Sequence, residues 1–159
     1  MTDTESFSTI APLALSGALI LATVVIHMVG LIILMGLLQN RSHHIRPFQS
    51  VPRQGVFIVL IVLGLVVIHS IEIWLYTMVY LGLNEFTGVE EALYYSIATF
   101  TTAGYGDVVQ SSRWRIVGAV ESFNGFLLLG WSTAFLVSVI GRLRSMETEW
   151  LEKLRNRHD

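Results

Sequence analysis

Three long apolar stretches constrain this chain more than any other feature. They cover residues 10–38, 56–83 and 116–140. The first contains no Asp, Glu, Lys or Arg, the second one acid, Glu72, and the third one acid, Glu121. Each exceeds the roughly 20 residues a helix needs to cross a bilayer. In hydrocarbon every backbone polar group must be satisfied within the protein, so spanning segments are helices or closed barrels. Continuous apolar runs, unlike alternating ones, point to helices. The expected fold class is therefore an all-α membrane protein. Charged residues make up only 14% of the chain, against roughly 25% in soluble domains. A net charge of -2 speaks against a nucleic-acid binder. The absence of cysteine rules out disulfides and thiolate metal sites. The first stretch makes a poor signal peptide, because Asp3 and Glu5 flank it where basic residues belong.

A shorter piece lies between the second and third stretches. TGVEEALYYSIATF opens with Thr87 and has Glu90 three residues later, the pattern of a capping box. The helix it predicts ends near Phe100 or Thr101. At 1.5 Å per residue it is roughly 20 Å long, too short to cross. It must enter the membrane and return. The segment that follows, TAGYG at 102–106, is not helical in character. Irregular backbone at membrane depth is tolerated only where it is buried in protein or lines a cavity. Gly104 and Gly106 can adopt φ values that other residues avoid, and this allows successive carbonyls to face one way. Several such strands around an axis would form a cage able to replace the water around a cation. The C-terminal end of the short helix adds partial negative charge. Asp107, Glu85, Glu90 and Glu91 add more on the same side, partly offset by Arg113 and Arg115.

Lys and Arg set the orientation. The first linker holds Arg41, Arg46 and Arg53, and the tail holds Arg142, Arg144, Lys153, Arg155 and Arg157. The positive-inside rule places both in the cytoplasm and the N-terminus and re-entrant piece outside. Pro47 and Pro52 predict an irregular linker. The tail carries Leu143, Met146, Trp150 and Leu154 at helical spacing, as expected of a cytoplasmic bundle or a membrane-surface helix. It is too short for a ligand-binding domain.

ALYYSIATFTTAGYGD, residues 92–107, resembles the pore helix and selectivity filter of tetrameric potassium channels. The potassium filter is a standard instance of a carbonyl cage. IVGAVESFNG, residues 116–125, resembles the inner helix of that family up to its hinge glycine, here Gly125. The resemblance implies three transmembrane helices plus a re-entrant pore helix and filter loop, assembled as a homotetramer in the lipid bilayer. It implies K+ as the permeant ion, with Thr102 giving its hydroxyl and carbonyl to the innermost site and Ala103, Gly104 and Tyr105 giving carbonyls above, the filter closing at Gly106. The Tyr105 ring is expected to pack on Tyr94 and Tyr95. Asp107, Trp114 and Glu121 are implied as further filter support, and Leu129 and Thr133 as cavity lining. The domains read as 1–55 (N-terminal segment, first span and linker), 56–140 (pore domain) and 141–159 (cytoplasmic tail). Ala103 replaces the family's usual Val or Ile and lessens packing behind the filter. Ala98 stands where some members place a Glu, so Asp107 lacks that partner. The first span has no counterpart in the two-span pore and no voltage-sensing arginines. Its role is unassigned.

Other motifs lead elsewhere or nowhere. GYGDVV lacks the third glycine and the preceding strand of a dinucleotide motif, and no G-x-S-x-G elbow occurs. No enzyme, cofactor or small-molecule substrate is expected. Asn40 heads a glycosylation sequon that the topology puts in the cytoplasm. Glu121 reads first as a hydrogen-bonding support behind the filter and second as a pH-sensitive element there. Glu72 has no clear placement. His27 and His69 within spans, and His43 and His44 in the linker, read as structural or interfacial in preference to a proton gate, and no His-x-x-x-His pattern with acids suggests a metal. Passive potassium conduction across a prokaryotic inner membrane is the expected function. The rivals are a weakly selective cation pore, suggested by Ala103, and a non-conducting subunit that regulates another channel.

Overall fold

The structure, a computed structural model, describes the backbone of residues 2–42 and 51–155 and the side chains of residues 9–37 and 54–142. All of the regular secondary structure over these residues is helical, with elements α1 (Thr2–Ser42), α2 (Val51–Gly82), α3 (Val89–Phe100) and α4 (Arg115–Arg155). Within α1, α2 and α4, the segments Thr9–Leu37, Gln54–Gly82 and Arg115–Arg142 are long and apolar enough to cross a membrane. At 12 residues, α3 is too short to do so. Residues 43–50 of the linker, with Arg46 and Pro47, lie outside the described residues. So do the side chains of the stripe Leu143, Met146, Trp150 and Leu154. Pro52 differs from expectation. It sits in the first turn of α2 instead of breaking the chain. An N–H there has no intrahelical partner to lose, so proline is tolerated.

Each long helix buries one narrow stripe. In α1 it is Ser16, Leu19, Thr23, His27, Leu31 and Leu34. In α2 it is Ile61, Leu65, Ile68, Glu72, Tyr76 and Tyr80, and in α4 Val117, Glu121, Asn124, Leu128, Ser132 and Val139. Steps of three and four residues keep such side chains on one face. The outward faces are as apolar as the inward ones: Leu21, Ile32, Val67, Phe126 and Val137 are all exposed. That suits a lipid solvent, in which close packing and polar contacts replace the hydrophobic effect as the glue between helices.

Both kinds of glue are present. Gly30 of α1 receives the Ile68 side chain of α2, and Gly64 of α2 receives Leu34 of α1. This reciprocal fit draws the two backbones together. Nearer the re-entrant end, Tyr76, Tyr80, Phe86, Phe100 and Val117 form an aromatic-rich core with Leu19 and Leu128. α3 wedges into this core through buried Ala92, Ser96, Ala98 and Phe100.

The start of α3 corrects the expected capping box. Its N-cap is Gly88, in extended conformation with no side-chain cap. Thr87 Oγ1 instead makes a long contact, 3.5 Å, to Glu91. Glycine is an acceptable N-cap, and the acids Glu90 and Glu91 in the first turn favour the positive helix end.

Candidate functional site

The chain leaves α3 by a tight turn. Thr101 N–H donates to Ile97 O at 3.1 Å and Thr102 N–H to Thr99 O at 3.0 Å. Gly104 N–H then reaches back to Ala98 O at 3.0 Å and ties the loop to the helix. Backbone φ is +61° at Thr102, +52° at Gly104 and +77° at Gly106, so positive values fall on every second residue. Glycine adopts such values freely. For Thr102, with its branched Cβ, the left-handed region costs about 1–2 kcal/mol. Strain of that kind concentrates where a conformation serves a site. Residues 101–107 are exposed along their whole length.

Each remaining candidate has a definite place. The Tyr105 ring stacks on Tyr94, with centroids 6.4 Å apart and planes at 17°. Tyr95 departs from expectation. It turns the other way and packs on Phe86 at 5.0 Å and Tyr80 at 5.4 Å. Successive helix residues point about 100° apart, and the two adjacent tyrosine rings face different neighbours here. Asp107 does lack a Glu at 98, but it has a different partner: the Tyr94 hydroxyl donates to its Oδ2 at 2.8 Å. That hydrogen bond holds the Asp107 carboxyl below its usual range. Asp107 Oδ1 also accepts from the Val108 N–H at 3.1 Å. Glu85 is not a free outer charge. Its carboxylate takes the Ser111 N–H and hydroxyl, each at 2.8 Å, and fastens the loop after α2 to the loop before α4. Trp114 packs against the aromatic core, with the Arg113 guanidinium 5.2 Å from its ring centre.

Glu121 is fully buried in α4. It accepts from the Tyr80 hydroxyl of α2 and, at 2.5 Å, from the Ser96 hydroxyl of α3. One carboxylate thus joins α2, α3 and α4. Gly125 lies one turn further along. A Cβ there would overlap the Phe100 carbonyl oxygen, so α4 passes in backbone contact with the end of α3. The helix itself runs unbroken through Gly125. Thr133 is exposed, its hydroxyl donating to Leu129 O at 2.9 Å, and Leu129 packs half-buried against the core.

Two further polar layers join α1 to the rest, and the sequence reading missed both. Asn124 donates to Thr23 Oγ1 of α1 at 2.7 Å and to the Tyr76 hydroxyl at 3.1 Å. One or two turns further on, Glu72 bonds His27 Nδ1 at 2.9 Å through Oε1 and His69 Nδ1 at 2.8 Å through Oε2. Ser132 of α4 meets the far nitrogens of both rings. The donor atoms of His27, His69 and Glu72 lie within 4.8 Å of one another, yet each is already engaged by a neighbour in this group. Polar residues inside apolar spans are the signal that marks such a group in sequence, since a membrane interior demands partners for them.

A family model described as "Ion channel" matches residues 55–142. Over 61 residues the chain is 38% identical to "Potassium voltage-gated channel protein Shal" of Drosophila melanogaster, a match that covers 38% of this chain. Over 48 residues it is 47% identical to "Two-pore potassium channel 1" of Arabidopsis thaliana, covering 30% of this chain. These matches span only 11% and 13% of the two relatives' own lengths. No solved structure matches.

Proposed function

The chain belongs to the ion-channel family, and from that premise we propose that it is a potassium-selective channel conducting passively as a homotetramer. The observation that carries the reading is the alternation of positive φ at Thr102, Gly104 and Gly106 in an exposed loop at the end of α3. Such alternation lets the intervening carbonyls line one side of the strand. In this reading the carbonyls of Thr102, Ala103, Gly104 and Tyr105, with the Thr102 hydroxyl, stand in for the water around K+. One strand cannot surround an ion, so four copies are required. Tyr105, 73% exposed in a single chain, is the kind of large apolar ring that a neighbouring copy would cover. The C-terminal end of α3 favours a cation below the filter. Residues 56–140 form the pore domain, with Leu129 and Thr133 lining the inner cavity. The linker and tail face the cytoplasm, and the N-terminus and filter mouth face outward.

Conduction makes and breaks no bond, so no catalytic group is needed. The purified protein alone in liposomes tests the reading. A potassium gradient should drive a flux that barium blocks. No flux from protein shown to be folded and inserted would favour a regulatory subunit that needs another channel.

A further inference from the structure

We propose that His27, His69, Glu72 and Ser132 form a buried proton-binding site, and that the proton it holds fastens α1 to α2 and α4. The four side chains make a closed ring across three helices. Glu72 Oε1 meets His27 Nδ1 at 2.9 Å, and Glu72 Oε2 meets His69 Nδ1 at 2.8 Å. His69 Nε2 meets Ser132 Oγ at 2.9 Å, and Ser132 Oγ meets His27 Nε2 at 3.4 Å. His27 and Glu72 are fully buried, and the His69 side chain is 13% exposed.

The ring can be counted in hydrogens. Four contacts need four. Ser132 brings one, two neutral imidazoles bring one each, and a carboxylate brings none. Closure therefore requires one more proton. With it the ring holds either a carboxylate, an imidazolium and a neutral imidazole, or a carboxylic acid and two neutral imidazoles. Both forms have zero net charge, which suits a membrane interior. Without the proton the ring carries one negative charge, and one contact sets two lone pairs face to face. With a fifth proton the ring is positive, and two donors collide.

In the ring without the extra proton, the contact that lacks a hydrogen is set by the imidazole tautomers. The longest contact, between His27 Nε2 and Ser132 Oγ, joins α1 directly to α4. Among the described residues, few groups surround the ring. Trp131 of α4 lies 5.2 Å from the His27 ring, and Phe100 of α3 lies 5.8 Å from His69. Tyr76 is the neighbouring titratable group on α2 and its hydroxyl is engaged by Asn124. Glu121 beyond it is engaged by Tyr80 and Ser96. A metal is not favoured, because a divalent ion beside one carboxylate would leave a net positive charge in hydrocarbon.

The stability the proton supplies is present while the ring is loaded and is lost as rising pH strips it. Glu72→Gln supplies the fourth hydrogen covalently through its amide and should hold the ring closed without the proton. The test uses the 159-residue chain in lipid nanodiscs carrying His43→Gln, His44→Gln and His158→Gln, which leaves the ring's histidines as the only ones in that chain. Nitrogen-15 histidine and carbon-13 glutamate spectra read the protonation state of each ring member across the pH range in which the protein stays folded, alongside melting temperature. The spectra should show one proton beyond those of two neutral imidazoles, and the melting temperature should fall by several degrees wherever that proton is lost. Glu72→Gln should flatten that fall, and Ser132→Ala should lower melting at every pH. A carboxylate at Glu72 with neutral imidazoles at both His27 and His69 at every pH would overturn the proposal, and needs no variant within the ring. So would an identical pH response in Glu72→Gln, or melting that zinc raises and a chelator lowers. None of these readouts depends on which ion the protein conducts.

Discussion

At the scale of single residues, Gly104 is the most exacting position. Its φ of +52° lies in the left-handed region and its N–H is tied to Ala98. Gly104→Ala should abolish potassium flux in liposomes while leaving the helical circular dichroism intact. Full flux from that variant would remove the loop from the conduction pathway. Glu121 offers a graded test. Glu121→Gln keeps an acceptor for Ser96 or Tyr80 and should melt close to the wild type. Glu121→Leu strands the Tyr80 hydroxyl, while Ser96 keeps the Ile73 carbonyl at 3.2 Å, and should cost about 1–3 kcal/mol for the group left unsatisfied. Equal melting of the two variants would contradict the assigned contacts. Asp107 yields a pH prediction. Its carboxyl is held below the usual range by Tyr94, so the pair's contribution is complete above the ordinary carboxylate value of about 3.9. It is lost only as pH falls through the lowered value, and it gives no response near neutrality. Tyr94→Phe should raise the Asp107 titration midpoint in carbon-13 spectra, and an unmoved midpoint would show that the bond does not form. The positive φ of Gly104 and Gly106 was legible in the sequence because glycine spacing is a local property, whereas that of Thr102 was not. The Glu72 ring was not, because its partners stand 45 and 63 residues apart along the chain. The sequence showed only that Glu72 and His69 were polar where lipid allows little polarity.

At the scale of elements, the spans were legible because apolar length alone decides them, and α3 because its length forbids crossing. What sequence could not convey is how α1 docks. Its stripe reads as generic apolar helix, yet Thr23 and His27 meet Asn124, Glu72 and Ser132 on other helices. The first span therefore acts as a polar-anchored brace against α2 and α4. The Thr87–Glu90 spacing misled for a related reason: the pattern is compatible with a capping box, but the chain enters α3 one residue later, through Gly88. Gly125, which the resemblance implies as a hinge, is also a contact point where α4 touches the Phe100 carbonyl. Gly125→Ala should push α4 away from the end of α3. Overpacking of this kind costs about 1–3 kcal/mol, read as a lower melting temperature. A variant as stable as the wild type would mean that the two backbones are not in contact.

At the scale of the whole molecule, the account requires a multi-pass membrane protein with its filter loop outward and four copies around one axis. Cysteines placed at Ser42 and Arg155 should be labelled only from the cytoplasmic side, and one at Glu85 only from outside. Labelling of Ser42 and Glu85 from the same side would overturn the orientation. The spans Thr9–Leu37 and Gln54–Gly82 contain no Lys or Arg, and Arg115 and Arg142 stand at the very ends of the third. A steep voltage sensor needs several charges, each worth about 2.3 kcal/mol per 100 mV. Open probability should therefore depend only shallowly on voltage, although one relative is named as voltage-gated. The central claim is that the Thr102–Gly106 backbone selects potassium, and the reversal potential tests it most directly. With the purified protein in a planar bilayer, sodium replaces potassium on one side at constant ionic strength. The account predicts that the reversal potential moves far toward the potassium equilibrium potential. A reversal potential that stays at zero would contradict it.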